Sequence, residues 1–133
     1  MSGFVDKICL DFDGTLIPYG PIWDRNVVAF SGVRDAVARL RLSGYKIYIF
    51  TTRLSETWCR ESCNSLGYGD WRTLQKDQRD YIIYILKKEG IYFDEIGAEK
   101  VPCLKIFDDL AVSITPEYPL PAAIYDFLGV DGG

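Results

Sequence analysis

Three short apolar runs, each closing on a polar group, constrain this chain more than any other feature. They are Lys7–Asp11 (KICLD), Lys46–Thr51 (KIYIFT) and Leu104–Asp108 (LKIFD). Brief, nearly continuous apolar runs of this kind are the mark of buried strands in a parallel sheet. Helical patterns lie between them. In Val33–Ser43, Val33, Ala36, Val37 and Leu40 recur at helical spacing before Gly44. Ser55 is an N-cap for Ser55–Leu66, which stops at Gly67. Asp77–Glu89 puts Tyr81, Ile82, Ile85 and Leu86 on one face and stops at Gly90. Tyr92–Ala98 reads as a further short strand, and Pro121–Leu128 as a last short helix. Phe12–Ser31, broken by Pro18, Gly20 and Pro21, reads as a loop, and Gly129–Gly133 as a frayed tail. The alternation predicts an α/β fold with helices packed on a parallel sheet, and a ligand site at the carboxyl ends of the strands.

With 133 residues, the expectation is one domain, 1–133. Hydrophobic residues make up 48% and charged residues 26%, which excludes a disordered or fibrous chain. The 15 Lys and Arg against 19 Asp and Glu give a net charge of −4, which offers no electrostatic footprint for duplex nucleic acid or an anionic membrane. No apolar run approaches the ~18 residues of a membrane span. The four cysteines, Cys9, Cys59, Cys63 and Cys103, form no CxxC pair. Cys59 and Cys63 share a helix face without further ligands nearby. This usage points to free thiols in a reduced, cytoplasmic setting.

Histidine is absent, so His-based triads, His general bases and most zinc sites are excluded. The polar strand ends carry the alternative. Asp11, Thr51 and Asp108 close three strands that, as parallel neighbours, converge on one edge of the sheet, with Asp13 and Asp109 close behind. Carboxylates gathered this way repel unless a cation or proton intervenes. Oxygen ligands without His or Cys select a hard cation, and Mg²⁺ fits best because it needs only one or two carboxylates plus water and phosphate oxygens. Arg53 after the second strand and Lys100 before the third add positive charge. A metal with Lys, Arg and Thr donors is what a phosphoryl group requires.

The residues Ile8-Cys9-Leu10-Asp11-Phe12-Asp13-Gly14-Thr15-Leu16 resemble the first motif of the haloacid dehalogenase (HAD) superfamily, a strand ending in DxDGTL. Thr51, closing Tyr48-Ile49-Phe50-Thr51-Thr52-Arg53, resembles its second motif. Lys100 resembles the third-motif lysine, and Ile106-Phe107-Asp108-Asp109 the acidic fourth motif. All four stand in the superfamily's order. The stretch from Tyr81 to Ile114 also resembles a small subgroup that includes proteins labelled capsule-biosynthesis phosphatases. Val101 between Lys100 and Pro102 departs from the Lys-Pro step usual there.

The resemblance implies a three-layer Rossmannoid fold and a phosphatase acting on a phosphomonoester of a small metabolite, sugar or nucleotide. In that reading Asp11 is the nucleophile that becomes an aspartyl-phosphate, and Asp13 the general acid and then base. Mg²⁺ is held by Asp11, the main-chain carbonyl of Asp13, and Asp108. Thr51 and Lys100 hold phosphate oxygens, with Gly14, Thr52 and Arg53 beside the substrate and Asp109 behind the site. Two helices and a strand occupy most of the stretch from Thr51 to Lys100, so no large cap is expected. The open site then takes a larger substrate or a cover from a second copy of the chain. Tyr19, Trp23, Trp58, Tyr68 and Trp71 are candidates for a lid, an oligomer interface or a stacking platform, with Tyr19 and Trp23 beside the nucleophile. Two other readings stay open. One is a protein that binds a phosphorylated ligand such as a nucleotide signal without turning it over. The other is a phosphatase of polynucleotide ends, the one nucleic-acid role the acidic charge leaves room for.

Overall fold

The computed structural model describes residues 6–20, 22–99, 103–107, 114 and 117–130. Its elements run β1 (Lys7–Asp11), α1 (Val33–Leu42), β2 (Lys46–Phe50), a 3₁₀ turn (Thr52–Leu54), α2 (Glu56–Ser62), α3 (Trp71–Lys88), β3 (Glu95–Gly97), β4 (Lys105–Phe107) and α4 (Leu120–Leu128). The four strands form one sheet in the order β3-β2-β1-β4, and every pairing is parallel. This is the α/β arrangement that the strand–helix alternation predicts, and it agrees with the Rossmannoid fold that the resemblance implies.

Register explains why the strands read as apolar. Ile8 lies opposite Ile47, Leu10 opposite Ile49 and Phe107, and Ile49 opposite Ile96. In strands, alternate side chains share a face, so these residues make one apolar surface. They belong to the same buried cluster as Val33, Ala36, Val37 and Leu40 of α1, Tyr81, Ile82, Ile85 and Leu86 of α3, and Leu120, Ala123 and Ile124 of α4. A core of this size places β1 in the middle of the sheet, flanked by β2 and β4. The carboxyl end of β1 is therefore the best-supported edge position in the fold. Among the described residues no helix is long and apolar enough to cross a membrane.

Two helix boundaries differ from expectation. α3 begins at Trp71, six positions before the expected Asp77, because the Asp70 carboxylate caps it by accepting the Arg72 N–H at 2.9 Å. Its first turns hide their periodicity because Gln78, a polar residue, occupies a fully buried position one turn after Leu74. The Ser55 helix is shorter than expected. Ser55 does cap it, accepting the Trp58 N–H at 3.0 Å. The chain leaves helix after Ser62 through turns over the weak helix formers Asn64 and Ser65, and reaches Gly67 in the left-handed conformation. β3 is confined to Glu95–Gly97. β4 covers Lys105–Phe107, and its expected last residue, Asp108, lies outside the described residues.

Among its described residues the segment from Phe12 to Ser31 holds no helix, as expected, yet these residues are tied down along their length. Leu16 and Ile17 donate back to the Phe12 carbonyl, and the Phe30 N–H donates to the Leu16 carbonyl. α3 supplies the remaining anchors: the Tyr81 hydroxyl donates to the Asp24 carbonyl, Lys88 Nζ to the Val27 carbonyl, and Glu89, just past the helix, accepts the Ala29 N–H at 2.6 Å. Trp23 packs edge-on against Tyr81 at 5.7 Å between ring centres. These contacts make the long segment a fixed wall beside the sheet edge.

Burial works against the Glu89 charge, but the Ala29 N–H and the neighbouring Lys88 outweigh it and hold the carboxyl below its ordinary value. A depressed carboxyl stabilises the fold above its unfolded value, and that stabilisation is lost as pH falls through the folded one. Glu89→Gln is therefore expected to cost about 1–2 kcal/mol at pH 7, with the difference from wild type closing as pH falls through the carboxyl's folded value. Urea unfolding at several pH values checks this.

Candidate active site

Asp11 is the last residue of β1 and pairs in register with Phe50 of β2. Its side chain is half-buried, and Oδ1 accepts the Phe12 N–H at 2.8 Å. Thr51 follows the neighbouring strand directly, and its N–H donates to Gly97 at the end of β3. The Thr51 side-chain oxygen accepts the Arg53 N–H at 3.2 Å and so starts the 3₁₀ turn, leaving the hydroxyl proton outside that bond. Asp11 and Thr51 thus stand side by side on the carboxyl edge, as the strand ends predict.

Asp13 is carried by a tight reversal. Gly14 adopts φ +76°, a left-handed conformation that a side chain disfavours, and its N–H donates to the Ile17 carbonyl at 2.8 Å. A Cβ at Gly14 would collide with the ring of Tyr19, so Tyr19 lies over the loop that bears Asp13. Tyr19 remains 69% exposed, whereas Trp23 turns toward Tyr81 and Tyr68. Of the two aromatics expected beside the nucleophile, Tyr19 is the one against the motif.

The dominant interaction is the ion pair of Asp13 with Arg53. Nη2 reaches Oδ1 at 2.6 Å and Nε reaches Oδ2 at 2.9 Å, a two-pronged geometry. Arg53 is only 5% exposed. Its Nη1 donates to the Ile22 carbonyl at 3.2 Å, with Gln78 Oε1 beside it at 3.5 Å. The guanidinium carbon is 5.7 Å from the ring centre of Phe12 and 5.9 Å from that of Tyr81. Burial is the main reason the Tyr81 hydroxyl is pushed up in pKa, with Arg53 pulling the other way. Arg53, expected beside the substrate, turns its charge inward onto Asp13. Thr52 is exposed at the start of the 3₁₀ turn.

Lys100, Asp108 and Asp109 lie outside the described residues. Among the described residues no group of three acidic or thiol side chains converges as a metal site would require. The donors present do fit a hard cation in part. Asp11 brings a half-buried carboxylate. The Asp13 carboxylate is taken by Arg53, which leaves its main-chain carbonyl, outside the Asp13–Ile17 bridge, as the Asp13 atom suited to a cation. Cys59 is buried with its Sγ donating to the Arg53 carbonyl at 3.4 Å, and burial pushes its thiol up in pKa. Both facts fit a packed, unreactive thiol.

Beside these groups a cleft of about 700 Å³ opens along the carboxyl ends of β2 and β3, between Leu54–Thr57 and Gly97–Glu99, with Lys76 and Arg79 of α3 on its wall. Gln78 and Ile22 are participants that sequence reasoning missed. The signal for Gln78 was a polar residue in an apolar helical stripe; Ile22 contributes only its carbonyl and leaves none.

No protein-family model matches this chain, and no curated protein does. Among solved structures, it is similar to a crystal structure of D,D-heptose 1,7-bisphosphate phosphatase from B. bronchiseptica complexed with magnesium and phosphate. The identity is 20% and the TM-score 0.47, over 96% of this chain and 65% of that one. The chain thus spans just under two thirds of that enzyme's length. What this chain does has to be read from its own residues.

Thr15 is buried, and among the described residues its hydroxyl has no hydrogen-bond partner. A buried unpaired hydroxyl costs stability that an isosteric apolar group does not. Thr15→Val is expected to raise the unfolding free energy of the ligand-free protein by about 1 kcal/mol, measured by urea titration.

Proposed function

We propose that this chain is a Mg²⁺-dependent phosphatase that hydrolyses a phosphomonoester through an aspartyl-phosphate on Asp11. The observation that carries the reading is the succession of two carboxylates at the end of β1: Asp11 on the sheet edge next to Thr51, and Asp13 two residues on, held by Arg53. A hydrolase that splits one displacement into two needs a nucleophile and a separate acid–base, and these two groups supply both without histidine.

In the first step an Asp11 oxygen forms a bond to phosphorus. The bond to the leaving oxygen breaks, its electron pair stays with that oxygen, and Asp13 supplies the proton. In the second step a water oxygen attacks phosphorus and gives its proton to Asp13. The phosphorus–Asp11 bond breaks and restores the carboxylate, and the products are an alcohol and inorganic phosphate. Asp11, the Asp13 carbonyl and Asp108 would hold Mg²⁺, which neutralises phosphate charge when bound. The Thr51 hydroxyl and Lys100 hold phosphate oxygens, with the Gly14 reversal keeping the loop backbone close.

The cleft supports a small leaving group. β3 lies two strand spacings from β1, about 10 Å. A substrate with phosphorus at Asp11 and its remainder in the cleft is therefore about the size of a sugar or nucleotide.

Phosphate release from a panel of sugar phosphates and nucleotides tests this. Turnover is expected with Mg²⁺ and is expected to vanish with EDTA. Asp11→Asn should lower it by a factor of at least about 10⁴, since the whole covalent route is lost. Metal-independent turnover, or wild-type rates in pure Asp11→Asn, would contradict the reading.

A further inference from the structure

Arg53 has a task that its position after β2 does not announce. An exposed arginine at a strand end reads as a ligand for substrate phosphate, but this one is 5% exposed and has committed its charge. Among the described residues, Arg53 supplies both hydrogen bonds that reach the Asp13 side chain, at 2.6 and 2.9 Å. Arg53 is itself fixed: Nη1 on the Ile22 carbonyl, the rings of Phe12 and Tyr81 centred 5.7 and 5.9 Å from its guanidinium carbon, and its main-chain N–H on the Thr51 oxygen. Gln78, fully buried, stands next to both Nη1 and the Ile22 carbonyl at 3.5 Å.

Building on the proposed phosphatase reading, we infer that Arg53 is the positioning residue of the acid–base: its fork fixes the Asp13 carboxyl toward the leaving oxygen, and it does not bind substrate. Asp13 sits on a reversal with a left-handed glycine behind it, where a short side chain has several rotamers to choose from. A planar fork on both oxygens selects one of them. The two prongs use two of the roughly four acceptor positions that a carboxylate offers. The others face away from Arg53, so Asp13 can carry and return a proton without leaving the fork. Thr51 joins this device to the phosphate site, since one residue separates its hydroxyl from the arginine it caps.

The consequence is selective. Proton delivery matters for a leaving group that departs poorly as an anion and hardly at all for one that departs readily. An alkyl phosphate needs Asp13 in place, whereas p-nitrophenyl phosphate does not. The constant kcat/KM covers the steps up to departure of the leaving group, so it isolates the effect from the later hydrolysis of the aspartyl-phosphate. A misplaced catalytic group costs about 100-fold.

The experiment measures kcat/KM for both compounds in wild type, Arg53→Lys, Arg53→Gln and Asp13→Asn. Both Arg53 variants are expected to lose about 100-fold on the alkyl phosphate and only a few-fold on p-nitrophenyl phosphate. Asp13→Asn is expected to show the same selectivity, and adding Arg53→Lys to it should change little further. Partial unfolding of a variant scales both constants alike and leaves their ratio untouched, so a fragile variant still gives an answer. If the two substrates lose activity in equal proportion, Arg53 binds phosphate or only supports the fold, and the inference is overturned. An active wild type with no change in the variants overturns it too, while the phosphatase reading stands. A wild type inert toward both compounds overturns the phosphatase reading and this assignment with it.

Discussion

The pair between Asp13 and Arg53 is the interaction on which the candidate site depends. Four separate parts of the chain meet there. Asp13 belongs to the loop after β1, Arg53 to the 3₁₀ turn after β2, Ile22 to the long segment beyond the loop, and Gln78 to α3. A guanidinium so nearly buried is costly to desolvate, and only a complete set of acceptors and a close carboxylate makes it tolerable. Removing either partner would leave the other charge shielded from water and without its partner. The pair therefore locks the loop, the strand end and the helix into one arrangement.

The sheet supplies the rest. β1 lies between β2 and β4, and its even-numbered residues are locked into the apolar cluster. That fixes the position of Asp11 without any contribution from the loops. Parallel pairing brings Thr51 and Gly97 to the same edge, and the bond from the Thr51 N–H to the Gly97 carbonyl holds the edge together. Rigid strands position Asp11; a braced loop positions Asp13.

Much of this was legible in the sequence, for a physical reason. Buried parallel strands have to be continuously apolar, so Lys7–Asp11 and Lys46–Thr51 announced themselves, and with them the placement of Asp11 and Thr51. Two things were hidden. The start of α3 was obscured by Gln78, a buried polar residue serving Arg53 where the helix's own pattern called for an apolar one. The inward turn of Arg53 was hidden because its partner lies 40 positions away and is brought near only by the Gly14 reversal. The anchoring of the Phe12–Ser31 segment depends in the same way on single side chains such as Glu89, 60 positions from Ala29. Contacts of that kind leave no periodic trace. Lys100, Asp108 and Asp109 complete the pattern in sequence and lie outside the described residues.

The central claim is that the phosphoryl group passes through Asp11 before it reaches water. The stereochemistry at phosphorus tests it most directly, using a substrate whose phosphate is made chiral with oxygen isotopes. Each in-line displacement inverts phosphorus, so transfer to Asp11 followed by transfer to water predicts overall retention, whether or not the intermediate accumulates. Overall inversion would mean that water attacks the substrate directly, and would contradict the account.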